Sequence, residues 1–172
     1  AAFVNTQSAT NGVTDSAAGG TALACGQKTK NGTLGMLKDL VTPISSIADW
    51  ARNSGAAVGI TTSVAVDHAT PAAFYAHVKE RHEQYTIGKQ LIESGNDFYA
   101  GSDFTIPNDP EYPNGTSLYE SAVAKGFTIA RGYAEYQKAA DKAKRTILFQ
   151  REEASKADRY SLPYALARSE GA

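Results

Sequence analysis

Two short stretches of the sequence carry residue types able to do chemistry. The first is Asn11–Thr21, NGVTDSAAGGT, where Asp15 and Ser16 precede a run of very small residues. Ala22, Leu23 and Ala24 follow and favour helix. Ser16 is therefore expected at or near a helix N-terminus. Free backbone N–H groups and the positive end of the helix dipole suit an anion there. Ala17, Ala18, Gly19 and Gly20 present no bulk, so a ligand or a neighbouring backbone can come close. An Asp-Ser pair can equally do no more than cap a helix, and the pair alone does not separate the two readings.

The second stretch is Asp67–Val78, DHATPAAFYAHV, followed by Arg81. Ala69-Thr70-Pro71 reads as a strand-to-helix junction, with proline suited to the first helical turn and Thr70 able to cap it. Helical spacing then predicts His77 and Arg81 on one face, four residues apart. A solvated face is the plain alternative for such residues.

Taken whole, VTDSAAGGT at Val13–Thr21 resembles the active-site serine signature of alkaline phosphatases. In that family a serine attacks phosphorus and carries a phosphoseryl intermediate. The resemblance implies that Ser16 is the nucleophile and that Asp15 helps to orient a phosphate-binding arginine. The Ala-Thr-Pro segment with an arginine about ten residues beyond resembles the same family. It implies Thr70 as a magnesium ligand and places His68 close to the magnesium site. Arg81 then matches the arginine that clamps two phosphate oxygens, a task its planar fork suits. His77 and His82 match no functional position and are read as structural or solvated. The likeness continues more weakly through Asp97–Phe104 (DFYAGSDF), and Gly126–Gln150 fits the family's helix-strand pattern without carrying chemistry.

The family uses two zinc ions and one magnesium ion, which activate the nucleophile and neutralise charge on the transferring phosphoryl group. Catalytic zinc takes about three protein ligands, mostly histidines and carboxylates. This sequence has three histidines, and its one Asp-His pair, Asp67-His68, lies at the magnesium-side motif. No Asp precedes Asp15, although the family places a metal-bridging aspartate before its serine motif. The motifs here offer Ser16, Thr70 and His68. The expectation is an internal portion of a longer alkaline phosphatase, inactive by itself, acting in the intact enzyme on phosphate monoesters and inhibited by inorganic phosphate. A homodimer and a periplasmic or extracellular location are implied by resemblance only. Sulfatases and nucleotide phosphodiesterases share the wider superfamily but commonly use formylglycine or threonine, so Ser16 favours the monoesterase. A non-catalytic segment with a folding or interaction role is the alternative from another class.

The elements that must position these residues alternate. Around Pro43–Ala51, Ile44, Ile47, Ala48 and Ala51 recur at helical spacing, and Asn53-Ser54-Gly55 stops the helix. Ala56–Thr62 (AAVGITT) reads as a buried strand. A helix is predicted over about Tyr85–Ser94 and a strand over Asp97–Ala100, with a surface loop at Asn108–Gly115. Helix Ser117–Lys125, strand Phe127–Ala130, helix Tyr133–Ala140 and strand Thr146–Phe149 complete the series, before a charged, exposed tail at Arg151–Arg159. Such alternation predicts an α/β fold, a three-layer α/β/α sandwich on a largely parallel sheet, with residues 1–172 forming part of one such domain. The formal net charge of −1 argues against a nucleic-acid binder working by bulk positive field. No apolar run approaches the roughly 20 residues that span a bilayer. Cys25, the single cysteine, sits among small residues and is read as a buried, inert thiol.

Overall fold

The structure, a computed structural model, describes residues 3–140 and 143–163. Four short strands, β1 (Gly59–Thr61), β2 (Phe98–Gly101), β3 (Phe127–Arg131) and β4 (Arg145–Phe149), form one sheet in the order β1-β2-β4-β3. Every pair is parallel, and the register sets Tyr99 beside Ile147 and Ile147 beside Ile129. Parallel neighbours need crossovers, and the helices supply them. They are α1 (Ser16–Cys25), α2 (Ile47–Asn53), α3 (Ala69–Ala72), α4 (Gln84–Glu93), α5 (Leu118–Ala124), α6 (Tyr133–Ala139) and α7 (Glu152–Ala157). Successive strand residues point to opposite faces. On β2, Phe98 meets Tyr136 of α6, while Tyr99 points the other way and packs edge-on against Tyr75, which follows α3. Helices thus cover both faces, as the α/β/α expectation requires.

The core lies on the Tyr99 side. Tyr99, Phe104, Phe149, Leu34, Ile87, Leu91, Leu118 and Ile147 are all essentially inaccessible to solvent. Phe104 meets Phe149 edge-on at 5.2 Å between ring centres. Two helices begin with reciprocal caps, Ser46 with Asp49 and Ser117 with Glu120. Cys25 is buried, and burial, with the nearby Asp49 charge, pushes its thiol up to about 11, which keeps it protonated and inert.

Four expectations need correction. The helix expected from about Pro43 begins at Ile47, because Ser46 caps it and Pro43 instead bridges to Met36. Ala56–Thr62 is not a buried strand: only Gly59–Thr61 is extended, with Gly59 and Thr61 exposed, since β1 pairs on one side with β2. His77 and Arg81 share no helix face, because α3 ends at Ala72 and the chain turns away to pair Val78 with Leu34. The charged tail holds a helix, α7, whose Ser155 is buried against Arg131 and the Ser102 carbonyl. Residues 141 and 142 of the Gly126–Gln150 stretch lie outside the described residues.

The turn after Leu34 is a sensitive joint. Gly35 has φ +57, and its amide donates to Thr21 Oγ1 while its carbonyl contacts His77 Nδ1 at 2.7 Å. A Cβ there would collide with the Ala76 carbonyl oxygen and lie 2.7 Å from His77 Nδ1. Gly35→Ala is expected to cost at least about 2 kcal/mol through steric strain against backbone that cannot withdraw. Urea unfolding should show a lower midpoint at unchanged slope, and a wild-type midpoint would refute the packing.

Candidate active site

The site is built at the N-terminus of α1. Asp15 is the N-cap, extended at φ −94 and ψ 179, and its Oδ1 accepts from the Ala18 amide at 2.9 Å. Ser16 is the first helical residue and is exposed, and among the described residues no side chain partners its hydroxyl. The small residues behind it serve packing. Ala17, Ala18 and Gly20 are buried, and a Cβ on Gly20 would press to 3.0 Å from Ala73 Cβ. Close approach of neighbouring backbone is therefore their observed use.

Arg81 arrives from a different direction. It lies in the loop between α3 and α4, and its Nη1 donates to Asp15 Oδ2 at 3.2 Å. The Gly32 amide donates to the same oxygen at 3.0 Å. Partial burial works against the Asp15 charge. The Ala18 amide, Arg81 and the Gly32 amide outweigh it and hold the carboxyl below the usual carboxylate range. Asp15 thus remains ionised and keeps the guanidinium at the helix terminus.

His68 closes the group. It is the N-cap of α3, with Nδ1 3.4 Å from the Thr70 amide and Nε2 3.3 Å from Arg81 Nη2. A neutral imidazole has one acceptor nitrogen, so it serves one of these donors at a time. Burial, then the Arg81 charge, push its pKa below the ordinary value and keep it neutral at pH 7. Thr70 is not the cap expected: it is the second residue of α3, exposed, and its amide faces His68. The structure therefore gathers Asp15, Ser16, Arg81 and His68, with Thr70 two residues beyond His68. His77 stands apart in a structural role, its amide donating to Gln90 Oε1 at 2.6 Å, and His82 is exposed.

These donors do not amount to a zinc or magnesium site. Among the described residues no three His, Cys, Asp or Glu side chains cluster as metal ligands. Asp67, beside His68, is buried, and both its oxygens are taken by Thr105, from the amide at 2.8 Å and the hydroxyl at 2.7 Å. Burial pushes its carboxyl up to about 6.

Two features of the structure were not legible beforehand. Asn31 and Gly32 link the two motifs, and only the turn-forming Asn-Gly pair hinted at them. A second ion pair, its carboxylate buried, joins Asp103 to Arg131 at 3.0 Å, with the Tyr119 hydroxyl donating to Asp103 at 2.6 Å. It ties the segment just past β2 to the last residue of β3 and signals itself by no motif.

Comparison with known proteins agrees with the motifs. The family profile described as alkaline phosphatase matches residues 1–101. An alkaline phosphatase of Schizosaccharomyces pombe is 40% identical over 90 residues, covering 52% of this chain and 17% of that enzyme. The structure of alkaline phosphatase from the Antarctic bacterium TAB5 superposes with a TM-score of 0.80 at 28% identity, covering 93% of this chain and 44% of that one. A substituted form of the TAB5 enzyme, solved with magnesium bound, superposes with a TM-score of 0.81 at 25% identity, covering 98% of this chain and 45% of that one. The chain spans less than half the length of these relatives. With a profile match over more than half its residues and a fold shared along nearly all of them, the chain belongs to the alkaline phosphatase family.

Proposed function

We propose that this protein hydrolyses phosphate monoesters through a phosphoseryl intermediate on Ser16. The observation that carries the reading is the Asp15–Arg81 ion pair at 3.2 Å, which sets a guanidinium beside an exposed serine at a helix N-terminus. That end of α1 offers free amides and a positive dipole to a phosphate dianion. Arg81 donates to two phosphoryl oxygens, while Asp15 fixes its fork. Ser16 Oγ then forms the new bond to phosphorus as the bond to the ester oxygen breaks, and water releases inorganic phosphate in a second displacement. Ser16 contributes the nucleophile, Arg81 charge stabilisation and Asp15 orientation.

The likeness to the family supports two zinc ions and one magnesium ion as cofactors, with Thr70, His68 and Ser16 as this chain's contribution on the metal side. Because the described residues do not form a metal site, the reading assigns the other ligands to residues outside the chain. Family likeness alone supports a homodimer and an exported location. No helix among the described residues is long and apolar enough to cross a membrane.

The testing experiment is Arg81→Ala in the full-length protein, assayed with p-nitrophenyl phosphate and with inorganic phosphate as inhibitor. Losing a bidentate charged contact costs about 1.5–3 kcal/mol, so phosphate inhibition should weaken roughly 10- to 150-fold. Thermal stability should stay close to wild type, since a partly exposed ion pair contributes about 1 kcal/mol or less. Asp15 also keeps its two backbone donors. Unchanged phosphate affinity would return Arg81 to an ordinary surface role.

A further inference from the structure

Residues Lys30–Leu34 form a strap between the two halves of the site. On one side the strap pairs with the segment leading to Arg81. Leu34 and Val78 exchange backbone hydrogen bonds at 3.0 and 3.1 Å, Thr33 Oγ1 donates to the Lys79 carbonyl at 3.0 Å, and the Arg81 amide donates to the Gly32 carbonyl at 2.7 Å. On the other side it reaches the entry to α1. Gly32 donates to Asp15 Oδ2, and the Asn31 carboxamide bridges Val13 and Asp15 across Thr14. Its Nδ2 donates to the Val13 carbonyl at 3.0 Å, and its Oδ1 accepts from the Asp15 amide at 3.4 Å.

From this geometry we infer that Asn31 is a positioning residue, setting the Val13–Ser16 turn against Arg81 without touching substrate. This rests on the phosphatase reading above. Val13–Asp15 belongs to no helix or strand, and Val13 is largely exposed, so packing does little to hold the turn. Among the described residues, Asn31 is the hydrogen-bond partner of both the Val13 carbonyl and the Asp15 amide. The contacts made by Gly32 are those of its backbone, and they survive any change at Asn31. Loss of the carboxamide therefore loosens the Val13–Asp15 entry on which the orientation of Ser16 depends, while the Asp15 carboxylate stays joined to Arg81 and to the Ala18 and Gly32 amides. A misplacement of about 1 Å is enough to slow a reaction strongly, up to 10²-fold.

Asn31→Ala in the full-length protein tests this, with Lys30→Ala as control. Lys30 sits on the same strap but forms only an exposed ion pair with Glu80 at 3.2 Å. The expected result is a kcat about tenfold lower for Asn31→Ala, with inhibition by inorganic phosphate within about threefold of wild type and little change in thermal midpoint. Lys30→Ala should match wild type in all three. An unchanged kcat overturns the role. So does a variant that unfolds, or one that loses phosphate affinity in step with kcat, because Asn31 would then support the fold or the clamp itself. A wild-type protein that hydrolyses no phosphate monoester overturns the functional reading, and the role with it.

Discussion

Ser16→Ala in the full-length protein should eliminate the phosphoenzyme and lower turnover by on the order of 10³-fold or more, the scale seen when a covalent nucleophile is removed. The structure makes this substitution unusually clean. The α1 cap is the Asp15 side chain, bonded to the Ala18 amide, so the helix terminus keeps its capping when Ser16 loses its hydroxyl. Ser16 is exposed, and alanine is the better helix former, so no fold penalty is expected. Arg81 keeps both its contacts, to Asp15 and to His68. Phosphate should therefore still bind while covalent transfer stops. Quenching in acid after incubation with a labelled phosphate ester reads the intermediate directly, and label on Ser16→Ala at the wild-type level would place the nucleophile elsewhere.

How much of this site could be read from the chain depended on the range of each interaction. Asp15 and Ser16 sit within one helical turn, and the local pattern of cap residue, small residues and helix formers located that terminus correctly. The strand segments at Phe98–Gly101, Phe127–Arg131 and Arg145–Phe149 were equally local, bounded by glycine or charge and rich in aromatic and β-branched residues. Arg81 was different. Ala72, Ala73 and Ala76 favour helix, and spacing from His77 suggested a continuous one. Pairing of Val78 with Leu34, 44 positions earlier, overrides that preference, and the buried Tyr75 hydroxyl donating to the Val66 carbonyl fixes the turn that precedes it. A contact of that separation leaves no periodic trace. The exposure of β1 was hidden for a related reason. AAVGITT has the composition of a central strand, but which strands flank it is a property of the sheet, and β1 has β2 on one side only in the order observed.

The same accounting of commitments leads to the second large effect. The 172-residue chain alone, supplied with excess zinc and magnesium at alkaline pH, should show no turnover of p-nitrophenyl phosphate above background. The carboxylates and the imidazole near Ser16 already have other work. Asp15 holds Arg81 and two backbone amides, and His68 faces Arg81 and the Thr70 amide. Asp67 spends both carboxylate oxygens on Thr105 inside the core. What the chain can offer a metal is the His68 imidazole, once it gives up Arg81 or the Thr70 amide, with the hydroxyls of Thr70 and Ser16. One imidazole with two neutral hydroxyls falls short of the roughly three His or carboxylate ligands of a catalytic zinc. Nor does any described side chain stand as a base on the Ser16 hydroxyl, which therefore stays protonated and weakly nucleophilic. Each factor of ten in rate is about 1.4 kcal/mol of barrier, and an unactivated nucleophile with an unassisted leaving group forfeits many such factors. The control is phosphate binding, since the Asp15–Arg81 pair and the α1 terminus are both present in these residues. Weak protection of the folded chain by millimolar phosphate, with no hydrolysis, would separate an intact clamp from absent chemistry. Turnover near that of a full-length alkaline phosphatase would instead require a metal site within these 172 residues.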